Sequence, residues 1–290
     1  MEPGEPPGRV HPGAADAAAS VMRIQWGEES MKTLLLTLLA AVTLLSMTGC
    51  SDDGTPLTAP DDPLSMTALE TDALSSQNPF VIPPHAVVKG KTYAEWSVEW
   101  WRWLWSIPFD QNPGMDSTGD FVANGQSGSV WFLAPAYFSD DWYRRATIPA
   151  GKMLFIDLAA VFMSIQEGDG ETLEELAEAA RVFMDATTDV MVEVDGVALQ
   201  NVEDYRVQSP GMFDYVVPEN NMFEAFGLDY PAGEYHDGFC DGYYIMLAPL
   251  SAGQHTIHML ATFPAPYNDT IEVTFELTVA GRGRNHFTNR

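Results

Sequence analysis

Residues 93–108 read YAEWSVEWWRWLWSIP, and no other stretch restricts the fold as much. Five tryptophans fall within the ten positions 96–105. Thr92 and Glu95 have the spacing of a capping box, with the Thr92 hydroxyl and the Glu95 carboxylate each serving the other's backbone N–H. Pro108 ends the helix, since it lacks an N–H and clashes with the preceding turn. At about 100° per residue, Thr92, Glu95, Glu99, Arg102 and Ser106 share one arc of about 80°. Tyr93, Trp96, Val98, Trp100, Trp101, Trp103, Leu104 and Trp105 occupy the remainder. A helix apolar around most of its circumference has to be covered, so the rest of the chain must supply a broad hydrophobic surface.

That surface is expected to be β. Val130–Ala134 and Tyr243–Ala248 are continuous apolar runs, the pattern of central strands buried on both faces. Met153–Leu158 is a third, interrupted by Asp157. Val192–Leu199 has the form of a hairpin around Asp195-Gly196. Ile257, Met259, Ala261 and Phe263 alternate with other residues, as do Ile271, Val273, Phe275, Leu277 and Val279, so each run buries one face. A second, acidic helix is expected from Glu171 to about Thr188, with Leu173, Leu176, Ala180, Phe183 and Met184 on its apolar face. Its glutamates crowd the first turns, where the helix dipole favours them. The expected fold is mainly β with two helices: an antiparallel β-sandwich, jelly-roll or immunoglobulin-like, with the Trp-rich helix and the acidic helix packed on or beside it. Residues 80–281 form this single domain, and 282–290 are a tail.

The segment Met31–Cys50 reads MKTLLLTLLAAVTLLSMTGC. A lysine precedes an apolar run of about 14 residues, roughly 20 Å as a helix and too short to span a bilayer. This is the form of a signal peptide. Met47-Thr48-Gly49-Cys50 resembles the bacterial lipobox, in which small residues precede a cysteine that is acylated and becomes the new N-terminus; Met47 stands where Leu is usual. The resemblance implies cleavage before Cys50, lipid attachment at Cys50, and a chain exported to the cell envelope, at the outer membrane or cell surface rather than the inner membrane. Residues 1–30 do not belong in front of such a signal. The codons for Gly27-Glu28-Glu29 are purine-rich and lie just upstream of Met31, as a ribosome-binding site would, so translation is expected to start at Met31. Residues 50–79, rich in Ser, Thr, Asp, Pro and Ala, read as a disordered tether with a mean reach of roughly 30 Å.

The chain has 41 acidic and 14 basic residues, a formal charge of −27. Five of the acids and three of the bases precede Cys50, so the imbalance stays with the exported part. Such a surface disfavours nucleic acid and anionic lipid headgroups as partners. With Cys50 lipidated, Cys240 has no intramolecular disulfide partner, and stability must come from the core.

Several constellations invite functional readings. Trp96 and Trp103 border the stripe of Glu95, Glu99 and Arg102, and aromatic faces beside carboxylates suit a glycan site. Glu95 and Glu99 are also close enough, about 6 Å at Cβ, for a glycosidase acid pair. The alternative is a core helix with a surface ion pair. Asp157 reads as a buried carboxylate, either part of a site or hydrogen-bonded structure. His236, Asp237 and Asp241 cluster with Cys240 in a stretch read as a Gly-rich loop, a candidate for calcium or another divalent metal; the surrounding acids oppose a thiolate at Cys240. His255 and His258 lie three apart on a strand and point to opposite faces. Gly125-Gln126-Ser127-Gly128 departs from the nucleophile-elbow pattern and reads as a turn. The loop 110–120 has calcium-compatible oxygens without EF-hand spacing.

YAEWSVEWWRWLWSIP, GQSGSVWFLA (125–134), IPAGK (148–152), YRVQSP (205–210) and DGYYIMLAPLSAGQHTIH (241–258) together resemble an uncharacterised family of bacterial exported proteins and lipoproteins. The resemblance spans roughly 88–280 and implies export and a shared fold; it carries no activity or catalytic residue. The leading reading is therefore a membrane-anchored envelope lipoprotein with a non-enzymatic binding domain for a glycan or an envelope protein. The second is a carbohydrate-active hydrolase using the carboxylates of the first helix, and the third a purely structural envelope protein.

Overall fold

The computed structural model describes residues 78, 80–135, 143–264 and 270–281. The chain divides into two units, Met1–Glu70 and Thr71–Arg290. All described residues belong to the second, so the expected upstream segment, signal peptide, Cys50, C-terminal tail and nearly all of the expected tether lie outside them. Among the described residues no helix is long and apolar enough to cross a membrane.

The spine of the first sheet is an antiparallel pair of long strands, β4 (Met153–Met163) and β9 (Gly233–Leu247). The other edge of β9 is shared, from its start to its end, by β8 (Phe213–Val217), β7 (Arg206–Gln208) and β1 (Val81–Ile82). On the far side of β4 lies β2 (Val130–Leu133), in parallel register. Gln126 protects the open edge of β2: its side-chain oxygen accepts the Phe132 N–H (3.0 Å) and its Nε2 donates to the Phe132 carbonyl (2.8 Å). A side-chain amide standing in for a missing strand satisfies groups that would otherwise invite edge pairing.

The second sheet runs β3 (Tyr143–Ile148), β11 (Thr270–Val279), β10 (Gly253–Thr262), β5 (Thr188–Val194) and β6 (Val197–Ala198). β10 and β11 pair from Gly253↔Val279 to Thr262↔Thr270. Their alternation places Ile257, Met259, Ala261, Val273, Phe275, Leu277 and Val279 in the core. The β5–β6 turn has Asp195 and Gly196 at φ 52° and 77°, the left-handed pair a two-residue hairpin needs.

The expected β-sandwich with an aromatic helix is therefore present, with two corrections. The sheets are mixed, because β2 runs parallel to β4 and β3 parallel to β11. The apolar run 130–134 forms the end strand of its path, not a central one; it is apolar because Trp103 and Trp96 pack on Phe132.

Helix α1 (Tyr93–Trp105) starts with the expected capping box and lies on the first sheet. Trp101 Nε1 donates to the Tyr244 hydroxyl (2.8 Å) and Trp100 Nε1 to the Leu133 carbonyl (3.0 Å). Phe155 stacks on Tyr244 and meets Tyr93 on this same face. A bulge between Asp157 and Ala159 reverses the facing of β4. Beyond it, Ala159 packs on the opposite face with Ala261 and with Met184 of α2 (Leu173–Asp185). Both faces of β4 are thus buried, which is why its sequence does not alternate.

Candidate functional site

The helix stripe is engaged in holding the fold. The Glu95 carboxylate accepts the Thr92 N–H (2.7 Å) and hydroxyl (3.0 Å), bonds that hold it below the usual carboxylate range. Glu99 pairs with Lys91 (2.7 Å) and Arg102 (3.2 Å). Arg102 Nε donates to the Asp214 carbonyl of β8 (2.7 Å). Trp96 donates to Val88 O (2.9 Å) with Lys91 over its ring, and Trp103 is 6% exposed and donates to Asn124 O (3.0 Å). Asp157 is 1% exposed, opposite Tyr244 in register on the face α1 covers. The carboxylates and rings do not meet in an open cleft.

The stretch 236–241 is the middle of β9 and not a loop. Its glycines mark close approach. A Cβ on Gly242 would lie 2.3 Å from the Ala160 Cβ, and one on Gly238 within 3.1 Å of Phe213, Tyr215 and Phe162. Asp237 meets the Tyr215 hydroxyl, Asp241 is buried against Arg206 and His236 is exposed beside Asp214, so the three do not form one metal set. Asp241 is fully buried and held bidentately by Arg206 (2.9 and 2.7 Å), which also bonds Asp185 at the end of α2 (2.6 Å). Cys240 is sealed beside Ser97, and burial pushes its thiol up to about 12.

Two further arrangements invite a functional reading, one as a hydrolytic triad and one as a calcium loop. Asp195, His255 and Ser251 have the order of a hydrolytic triad, with Asp195 2.7 Å from Nδ1 and the Ser251 hydroxyl 3.3 Å from Nε2. Nε2, however, lies closer to Ser251's own carbonyl oxygen (2.9 Å). A nitrogen facing a carbonyl must carry the proton, so it cannot take one from the hydroxyl. The oxygen-rich loop 110–120 is turned inward. Burial would raise the Asp116 carboxyl, but the Phe121 N–H, the Thr118 hydroxyl and N–H, and nearby Arg144 outweigh it and lower it. Arg144, fully buried, donates to Ala134 O and Pro113 O and lies over Phe275.

The polar constellation with the most chemical potential was not anticipated as a unit. It lies where β4 ends and β9 begins. Ser164, fully buried, directs its N–H to the Asp169 carboxylate (2.9 Å) and its hydroxyl to Tyr230 (2.7 Å), and accepts the Glu167 N–H (3.0 Å). Tyr230 continues to the Tyr215 hydroxyl (2.8 Å), which reaches Asp237 (3.3 Å); Asp237 also accepts the Gln166 N–H (2.8 Å). Tyr235 stacks on Tyr215. Burial, then the neighbouring Asp169, holds the Glu167 carboxyl well above its ordinary value. Burial likewise raises Asp169, to about 6. Two such carboxyls retain a shared proton where isolated ones would not. The arrangement can donate hydrogen bonds to a polar ligand beside the half-exposed Tyr235 ring. In the sequence, only Asp237 of this group stood out; the contacts that join Ser164 to Tyr230 and Gln166 to Asp237 span 66 and 71 positions, which periodicity does not reveal.

No family model and no curated protein matches the chain. Two solved structures align with about half of it. One is a cysteine protease inhibitor from Entamoeba histolytica, 12% identical, covering 52% of this chain and 95% of that one at a TM-score of 0.21. The other is amebosin, 13% identical, covering 53% and 99% at a TM-score of 0.19. Likeness at this level carries no argument about what the chain does.

Proposed function

We propose that the chain is an exported lipoprotein, anchored to a cell-envelope membrane through Cys50, whose β-sandwich is a non-enzymatic binding module for a polar ligand such as an envelope glycan. The anchor rests on the charge, length and small-residue order of Met31–Cys50. The binding role rests on one observation: the side chains that sequence reading nominates for chemistry are already engaged as structure. Glu95 caps a helix, Glu99 and Arg102 are ion-paired, Trp103 is in the core, and Asp241 is clamped by Arg206. The accessible feature is the Tyr235 end of β9, where an aromatic face stacked on Tyr215 adjoins Asp237, the pairing a sugar ring uses. Membrane flotation of the full chain and of Cys50→Ser, followed by retention on isolated cell-wall glycan, tests both halves. The account expects Cys50→Ser to leave the membrane fraction and Tyr235→Ala to lose retention. A Cys50→Ser chain that still floats, or glycan retention indifferent to Tyr235→Ala, contradicts it.

One observation favours a second reading, a hydrolase. The Glu167–Asp169 pair holds a proton that a general acid needs. Release of product from the same glycan, lost in Glu167→Gln, would support it; intact glycan over mildly acidic to neutral pH would leave binding alone.

A further inference from the structure

On the β8–β9 pair, the face opposite Tyr235 and Asp237 carries Glu234 and His236. Two residues apart on β9, they project together. Asp214 of the neighbouring β8 completes the group, with its Oδ1 2.8 Å from His236 Nδ1. One donor atom from each residue can be chosen so that all three lie within 4.8 Å of one another. We infer that Asp214, Glu234 and His236 form a divalent transition-metal site, with zinc as its type ion.

Three physical points favour this assignment. The donors are one imidazole and two carboxylates, each a zinc ligand type, and three protein ligands leave a fourth position open for water. The mixed nitrogen–oxygen donors select against calcium and magnesium, which take oxygen. The backbone that carries them is braced: β8 and β9 pair on either side of a bulge at Asp214 and His236, Tyr215 stacks on Tyr235 on the reverse face, and Arg102 grips the Asp214 carbonyl. The two carboxylates neutralise a divalent ion, and nearby Asp237 and the negative chain add to the attraction.

Equilibrium dialysis of the full chain, stripped with chelator and titrated with zinc alone, tests the site. The expected result is one zinc bound per chain. His236→Ala should weaken it by about tenfold or more, the scale at which losing even an outer partner is felt. Asp214→Asn, which preserves shape, should also weaken it. His258→Ala, on the second sheet and paired with Glu272, should leave it unchanged. No zinc bound at millimolar concentration, zinc binding indifferent to His236→Ala, or calcium held as tightly as zinc would each overturn the inference.

Discussion

Replacing Trp103 by alanine separates a structural tryptophan from a ligand platform. Its side chain is 6% exposed, its indole N–H is bonded to Asn124 O, and its ring lies 5.4 Å from Phe132 and 6.0 Å from Trp100. The backbone opposite cannot move in to fill the hole readily. Gly125 sits at φ 65°, where even a Cβ would meet Trp103 at 3.0 Å, and its turn is tied to β2 through Gln126. Truncating a buried aromatic into a cavity that relaxes only partly costs about 3–5 kcal/mol. With a urea slope of about 2 kcal/mol/M, the unfolding midpoint should fall by about 2 M at unchanged slope. Trp103→Phe keeps most of the ring and loses the hydrogen bond, so its cost should be nearer 1–3 kcal/mol; this variant keeps the comparison readable if the alanine chain does not fold. A Trp103→Ala chain within about 0.5 kcal/mol of the parent would refute the packing argument, because only surface substitutions away from such contacts are that mild.

Other substitutions probe other parts of the account. Arg144→Met removes the guanidinium 3.8 Å from buried Asp116 and the donors to Ala134 O and Pro113 O; a loss of about 3–5 kcal/mol in denaturant unfolding is expected. Gly242→Ala forces a methyl against Ala160 and should cost about 1–3 kcal/mol or more, whereas a turn glycine at this position would accept alanine with little penalty. Asp169 binds its proton more tightly in the folded chain than at its ordinary value of 3.8. The stability it contributes is therefore complete below about that pH and is lost as pH rises through about 6. Asp169→Asn should flatten this part of the pH–stability profile, and a profile unchanged by the substitution would count against the shared-proton reading.

The parts of the fold legible in sequence are those set by local periodicity and local caps. Thr92 and Glu95 are three residues apart, so their capping box needs no tertiary information. The alternation of β10 and β11 and the Asp195-Gly196 turn are local in the same sense. What escaped was set by distant neighbours. Gly238 and Gly242 resemble turn residues, yet they are glycine because β8 and β4 leave no room for a side chain. The Asp157 interruption marks a bulge that only the β9 register exposes. Arg144 carries the opposite lesson: with Ala146 and Ile148 it follows a period of two, which places an arginine in the core, and hydrophobicity alone hides it. The candidate sites followed the same division. Trp96, Trp103, Glu95 and Glu99 drew attention by being dense in one segment, whereas Ser164, Glu167, Tyr215, Tyr230 and Asp237 converge only in three dimensions.

The central claim, a sandwich carried on a lipid anchor, rests most directly on the chemistry at the start of the mature chain. Mass spectrometry of the N-terminal peptide, taken from the chain purified out of its own membranes, reads it. The account predicts a peptide that begins at Cys50 and carries diacylglycerol on the thiol. A peptide beginning upstream of Met31, or one containing Gly49-Cys50 intact with a free thiol, would contradict it.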